Sequence, residues 1–442
     1  MFITLFLLFI ILDIISFFTF KEDIIAPPFL FCISYTFSLF CALLNYNRWG
    51  LENYSLLSFS ILFLGGIIFI FVGWVAQIAY QPKYYDMIDD FTIKRYVSIS
   101  SAIYYLLIIF NIITLLLYYR SVKNVAGNLG NFSQMMESYR EQSAYTLNST
   151  QLMPDYVTHM SRIVFAEGYV YGFILVKNWL FGFKNWKDVI KPVSIIITYV
   201  VMSILSSDRL SILQLTFAMI IYYFALKGSS SLKQIGKSLL RVTIIVIIIL
   251  LVFYSIRVLV GRVGSTDASI KDYLTMYSGG SIKLLDMYLS DPIHSSTWGV
   301  RTFLALHDIF RAMGMYVPET LNNVEFRSFN GISLGNVYTA YRDWYTDFSL
   351  SGTLILQTIF AAFYNFYYFS LKKHGFEKHE FATLIFGYMG TAVLLHPISD
   401  FLFSVYCSVG FCEYLVIFYV LYLILIKHKE KPFYENTFED VN

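Results

Sequence analysis

Long apolar runs separated by short polar breaks dominate the chain. Eleven runs read as membrane helices: 2–20, 27–45, 55–77, 96–118, 161–183, 189–205, 210–226, 240–260, 345–370, 380–398 and 401–426. Most are about 17–25 residues long, enough to cross a hydrocarbon core of roughly 30 Å as an α-helix. The first run lacks a basic leader and a small-residue cleavage site, so it reads as a retained helix, not a signal peptide. Two longer polar segments interrupt the pattern. Residues 119–160, with Gly127, Gly130 and a Ser/Asn/Gln-rich stretch, predict a surface helix. In 261–344, Leu274, Tyr277, Leu284, Leu285, Met287 and Tyr288, and later Phe303, Leu304, Leu306, Ile309 and Phe310, recur at near-helical spacing. That spacing predicts short amphipathic helices lying on the membrane surface. The expected fold is a single all-α transmembrane domain over 1–442, with 119–160 and 261–344 as two large extracytoplasmic loops.

Composition agrees with that class. Of 442 residues, 57% are hydrophobic and 14% charged, and the mean hydropathy is +0.60, where soluble domains carry about a quarter charged residues. A net charge of +2 gives no support for nucleic-acid binding. Cys32, Cys41, Cys407 and Cys412 fall inside apolar runs without CxxC or metal-ligand spacing, and read as buried apolar residues.

Charge sets the orientation. Four lysine-rich connections, around Lys177–Lys191, Lys227–Arg241, Lys372–Lys378 and Lys427–Lys431, fall on one side of the eleven-span topology. The positive-inside rule makes that side cytoplasmic, with the C-terminus inside. All lysines except Lys123, Lys271 and Lys283 lie there. The arginines go the other way: only Arg95 and Arg241 are inside, whereas Arg48, Arg120, Arg140, Arg162, Arg209, Arg257, Arg262, Arg301, Arg311, Arg327 and Arg342 are outside. Topogenic charge does not separate Lys from Arg. Forked guanidinium groups suit bidentate recognition of phosphate or carboxylate, so the split points to an outer anion site. The alternative is pairing with outer acids such as Asp286, Glu325, Asp343 and Asp347.

Three stretches carry candidate chemistry. In ILSSDRLSIL (204–213), a four-residue turn joins two spans. Ser207 or Asp208 can cap the helix that begins at Leu210, and Arg209 stands beside a helix start that itself attracts anions. The alternative is that Asp208 or a lipid headgroup neutralises Arg209. In YSIRVLVGRVG (254–264), Arg257 lies within apolar sequence, where a cation needs a partner or must snorkel, and Arg262 follows at the boundary. In LGNVYTAYRDWYTDFSLSG (334–352), helical spacing would put Tyr338, Tyr341, Arg342 and Tyr345 on one face, beside Asn336, Asp343 and Asp347. Rings beside amides and charges suit carbohydrate, although an interfacial aromatic belt also explains the tyrosines. No acidic pair of the DxD kind is found outside, nor a P-loop, GxSxG or HExxH motif, so neither a metal nor a cofactor is expected.

These stretches resemble the oligosaccharide repeat-unit polymerases, the O-antigen polymerases of the Wzy type. The resemblance rests on SSDRLSILQLTFAMIIYYF (206–224), YSGGSIKLLDMYLSDPIHSSTWGVRTF (277–303) and GNVYTAYRDWYTDFSLSG (335–352). Two positions depart from the family pattern: Asp208, where small residues are usual, and Ser349, where Gly would follow Asp-Phe. The resemblance implies a GT-C-like, metal-independent glycosyltransferase of a bacterial inner membrane, with its active site facing the periplasm. It would polymerise undecaprenyl-pyrophosphate-linked repeat units into O-antigen or capsular polysaccharide. Its partners would be the lipid-linked donor and acceptor glycans, membrane lipids and a chain-length regulator protein. On this reading Arg209, Arg257, Arg262, Arg301 and Arg342 bind pyrophosphate. Asn336, Tyr338, Tyr341 and Trp344 contact sugar, and Asp347, Asp343, His294 and His396 are the candidates for general base. An O-antigen ligase and a lipid-linked glycan flippase or exporter are the alternatives. Charges expected at outer helix ends, rather than near the membrane midplane, favour the enzyme.

Overall fold

The computed structural model describes residues 1–80, 95–127, 129–145, 152–182, 186–228, 250–251, 254–257, 259, 269–293, 295, 297–317, 324–427 and 429–432. The architecture is mostly helical: α1 (Phe2–Thr19), α2 (Pro27–Leu43), α3 (Leu56–Ala79), α4 (Ser101–Ala126), α5 (Phe132–Tyr145), α6 (Asp155–Phe181), α7 (Lys187–Leu205), α8 (Leu210–Lys227), α9 (Ile270–Ser290), α10 (Leu304–Ala312), α11 (Ala340–His374), α12 (Glu380–Leu395) and α13 (Val409–Leu425). Two small antiparallel sheets join them. One pairs β1 (Arg95–Val97) with β4 (Glu430–Pro432), and the other is a hairpin of β2 (Arg327–Phe329) and β3 (Ile332–Gly335).

Among the described residues six helices, α1, α3, α4, α7, α8 and α11, are long and apolar enough to cross a membrane, and α2, α12 and α13 are shorter apolar helices. The chain is therefore a mostly helical membrane protein. Most of the expected span at 240–260 lies outside the described residues. The centre is α6, buried along most of its length because small residues let neighbours close on it. At Gly168 a Cβ would sit 2.7 Å from a ring carbon of Tyr199, so only glycine admits that ring.

Helix ends sort by charge. At one end Lys177 pairs with Glu380, Lys372 and the Tyr368 hydroxyl bond Asp23, and Lys191 donates to the Ile99 carbonyl. The turn at 206–209, α5, α9 and the 324–343 segment gather at the opposite end.

The region 261–344 differs from the expected short surface helices. Its α9 is a 21-residue helix packed against α2, with Tyr273, Ile282, Leu284, Leu285 and Tyr288 buried. Gly279 permits this, since a Cβ there would meet the Cys41 carbonyl carbon at 2.7 Å. The charges on this helix are internally matched: Asp286 accepts from Lys283 (3.3 Å), the Ser55 N–H (2.9 Å) and the Ser58 hydroxyl (3.0 Å). A buried pair with its remaining lone pairs satisfied is tolerated where a lone charge is not. The surface helix expected within 119–160 is present as α5.

Candidate functional site

The turn after α7 shows how Arg209 is aimed. Backbone N–H groups of Ser206, Ser207 and Asp208 bond back to Met202, Ile204 and Ser203 carbonyls at 2.9–3.0 Å, which closes the helix tightly. Ser207 takes a φ of 59°, the left-handed region that favours glycine. Both carboxylate oxygens of Asp208 are engaged at the start of α8, one by the Leu210 N–H (3.1 Å) and one by the Ser211 hydroxyl. Of Ser207 and Asp208, the two capping candidates, Asp208 is the one whose side chain accepts a backbone N–H at the start of α8.

Arg209, 3% exposed, turns instead to α9. It donates to the Tyr273 hydroxyl and lies 5.6 and 5.5 Å from the ring centroids of Tyr273 and Tyr277. Arg257 comes to the same place: its guanidinium is 3.7 Å from the Tyr254 centroid and 5.9 Å from that of Tyr273. Cation–π attraction offsets part of the cost of taking these charges out of water. Two arginines separated by 48 positions therefore converge on one tyrosine. Arg262 and His294 lie outside the described residues.

Beside them, walled by Met276 and Tyr277, is a cavity of about 530 Å3. Arg140 from α5, Arg301 and Arg342 line it, with Asp343, Ser206, Ser207, Asn336 and Tyr338, so among the described residues the lining cations outnumber the carboxylates. Arg342 is 5% exposed and bonds Asp343 through Nη1 (2.7 Å) and Glu325 through Nη2 (2.6 Å), with its plane 4.9 and 5.3 Å from the Tyr288 and Tyr338 centroids. Arg301 Nε reaches the same Asp343 oxygen at 3.4 Å, and Arg327 Nη2 approaches Glu325 at 3.4 Å. The ion-pair alternative is therefore realised for Arg301, Arg327 and Arg342, within the same cavity region. Arg140 Nε is buried and, like that of Arg342, has no hydrogen-bond partner among the described residues. Burial, with the Glu325 carboxylate, pushes the Tyr338 hydroxyl well above its ordinary value, so it stays a protonated donor to Glu325 (3.2 Å).

Several expected site residues are placed elsewhere. Tyr341 and Trp344 are fully buried and face the core, not the cavity. The physical reason is the helix start: α11 begins at Ala340, so Tyr338 precedes it, and Tyr341 and Trp344, three apart, share the inward face. Tyr341 closes on Gly65, and Trp344 Nε1 donates to Asp400 (2.9 Å). His396 is fully buried in a cage of Phe31, Tyr341, Trp344 and Phe360 rings, with Nδ1 on the Tyr35 hydroxyl (2.7 Å). Asp347 does not line the cavity; its Oδ2 accepts the N–H groups of Arg301 (3.0 Å) and Thr302 (2.7 Å) and so fixes the loop that carries Arg301. Of the base candidates within the described residues, Asp343 alone lines the cavity.

The sequence reading missed Arg140 as a site residue and missed the β2–β3 hairpin, which brings Ser333–Gly335 to the cavity. Asn330-Gly331, both at positive φ (48° and 77°), was the available signal. It also overlooked two carboxyls within helices rather than at their ends. Glu167 of α6 is fully buried and accepts from Asn111 (2.8 Å), and Asp13 of α1 accepts from Thr36 (2.6 Å).

Comparison with family models, with curated proteins and with solved structures gave no match.

Proposed function

We propose that this chain is a membrane glycosyltransferase that joins lipid-pyrophosphate-linked oligosaccharide repeat units into a polysaccharide of the O-antigen or capsular kind. The observation that carries this reading is the cavity lined by Arg140, Arg301 and Arg342 from three separate segments, beside Arg209 and Arg257 on Tyr273. A departing pyrophosphate gains charge as its bond to the sugar breaks, and preorganised guanidiniums stabilise that charge without rearranging at the moment of reaction. In the resting protein Glu325 and Asp343 hold Arg342 and Arg301 in place. An entering anion takes over part of that pairing and leaves Asp343 positioned to accept the proton of the attacking hydroxyl. Asn336 and Tyr338 are the sugar contacts on this reading. The lysine-rich end is cytoplasmic by the positive-inside rule, which puts the cavity on the periplasmic face of a bacterial inner membrane. Donor and acceptor are both undecaprenyl-linked, and a chain-length regulator is the expected protein partner.

The test is chromosomal replacement of Arg342 or Arg209 by Ala, with immunoblotting for inserted protein and electrophoresis of surface polysaccharide. Single attached repeat units are expected. Full-length chains from a stably inserted Arg342→Ala protein refute the reading. Complete loss of attached repeat units on gene deletion would indicate a ligase instead. Glu167 and Asp13 favour a second reading, a carrier of lipid-linked glycans, because buried carboxyls within membrane helices commonly serve transport. Under it Glu167→Gln, and not Arg342→Ala, abolishes surface glycan.

A further inference from the structure

A second cavity, of about 230 Å3, adjoins the first, and Met276 and Ser333 line both. Its chemistry differs from that of its neighbour. Two ring-bearing residues, Trp49 (3% exposed) and Tyr273 (fully buried), are set in its wall. Asn45, 5% exposed, and Thr275, 4% exposed, add an amide and a hydroxyl, and the Thr275 hydroxyl donates to the Lys271 carbonyl (2.8 Å), which leaves its oxygen as an acceptor. At the rim Arg48 and Asp272 pair at 2.6 Å, with exposures of 48% and 38%, so the lining charges cancel. Aromatic surface, neutral hydrogen-bonding groups and a balanced, water-accessible ion pair suit an uncharged ring rich in hydroxyls. They do not suit a second phosphate.

We propose that this second cavity binds a single sugar ring, and that the two cavities together hold a glycosyl phosphate, the anion among Arg140, Arg301 and Arg342 and the sugar against Trp49 and Tyr273. The inference rests on the anion reading of the first cavity. Tyr273 ties the two together, since it lines the sugar cavity and also receives Arg209. The ring adjoining the phosphate is thereby recognised by the loop after α2 and by the first turns of α9, which sequence reading did not connect.

The experiment uses the purified full chain in lipid nanodiscs and measures binding of farnesyl diphosphate. The same probe is then tested carrying one glucose, galactose, N-acetylglucosamine or N-acetylgalactosamine. At least one glycosylated probe should bind about tenfold more tightly than the bare one. Ile332→Trp, which fills the second cavity from β3, and Asp272→Ala at its exposed rim should each keep the affinity for bare farnesyl diphosphate and lose most of the gain from sugar. Retained bare-probe binding also shows that the variants are folded. The proposal is overturned if no sugar improves binding, or if both variants keep the full gain. Failure of every probe, bare or glycosylated, overturns the anion reading and this inference with it.

Discussion

Ser349 gives the sharpest test of the backbone account. It joins two helical segments inside α11 at φ 56° and ψ −163°, a conformation reached almost only by glycine. Holding a side chain there costs of the order of 1–3 kcal/mol. Replacement by glycine removes that strain but adds about 0.5–1 kcal/mol of unfolded-state entropy to be lost on folding. The Ser349→Gly variant should therefore gain about 1 kcal/mol. Ser370→Gly, in the regular part of the same helix, lacks the strain and should lose roughly 0.5–1 kcal/mol. The assay is the midpoint of thermal unfolding in detergent, read by fluorescence-detected gel filtration on both variants. If Ser349→Gly lowers the midpoint as Ser370→Gly does, the strained break does not exist.

Three further outcomes follow from particular contacts. Gly279→Ala should cost roughly 1–3 kcal/mol by forcing α9 off the α2 backbone, whereas Gly280→Ala, whose Cβ would meet the Leu334 oxygen at 3.5 Å, should be neutral or better; expression yield and melting distinguish them. Asp347→Ala, which removes the acceptor of two backbone N–H groups, should lose about 3 kcal/mol and weaken farnesyl diphosphate binding through the displaced Arg301 loop, and Asp347→Asn should recover part of both. Trp344→Phe should lower the melting midpoint by the equivalent of about 1–3 kcal/mol, as Asp400 loses a buried donor, yet leave the affinity for glycosylated probes unchanged.

The apolar runs made most of the helices legible, because membrane-length hydrophobicity is a local property of sequence. What failed depended on long-range packing. The near-helical apolar spacing made α9 look like a surface helix, and only the contacts with Ser55, Ser58 and α2 show how Lys283 and Asp286 are buried. Tyr341 was grouped with Tyr338 by helical spacing, and Trp344 was added to the sugar contacts under the resemblance, but the face that a spacing presents depends on where the helix begins, and Thr339 precedes its first turn. Arg209 and Arg257 were singled out as charges in unusual places, yet Tyr273, where they meet, belongs to another segment. Arg140 gave no local hint at all. By contrast, Asn330-Gly331 announced its hairpin within two residues.

The central claim is tested most directly by incubating the purified chain in nanodiscs with synthetic undecaprenyl-pyrophosphate-linked repeat units of the host polysaccharide. The account predicts a ladder of products longer than one unit and release of undecaprenyl pyrophosphate, both abolished by Arg342→Ala. Repeat units that remain unjoined, with no pyrophosphate lipid released by a folded wild-type protein that binds them, would contradict it.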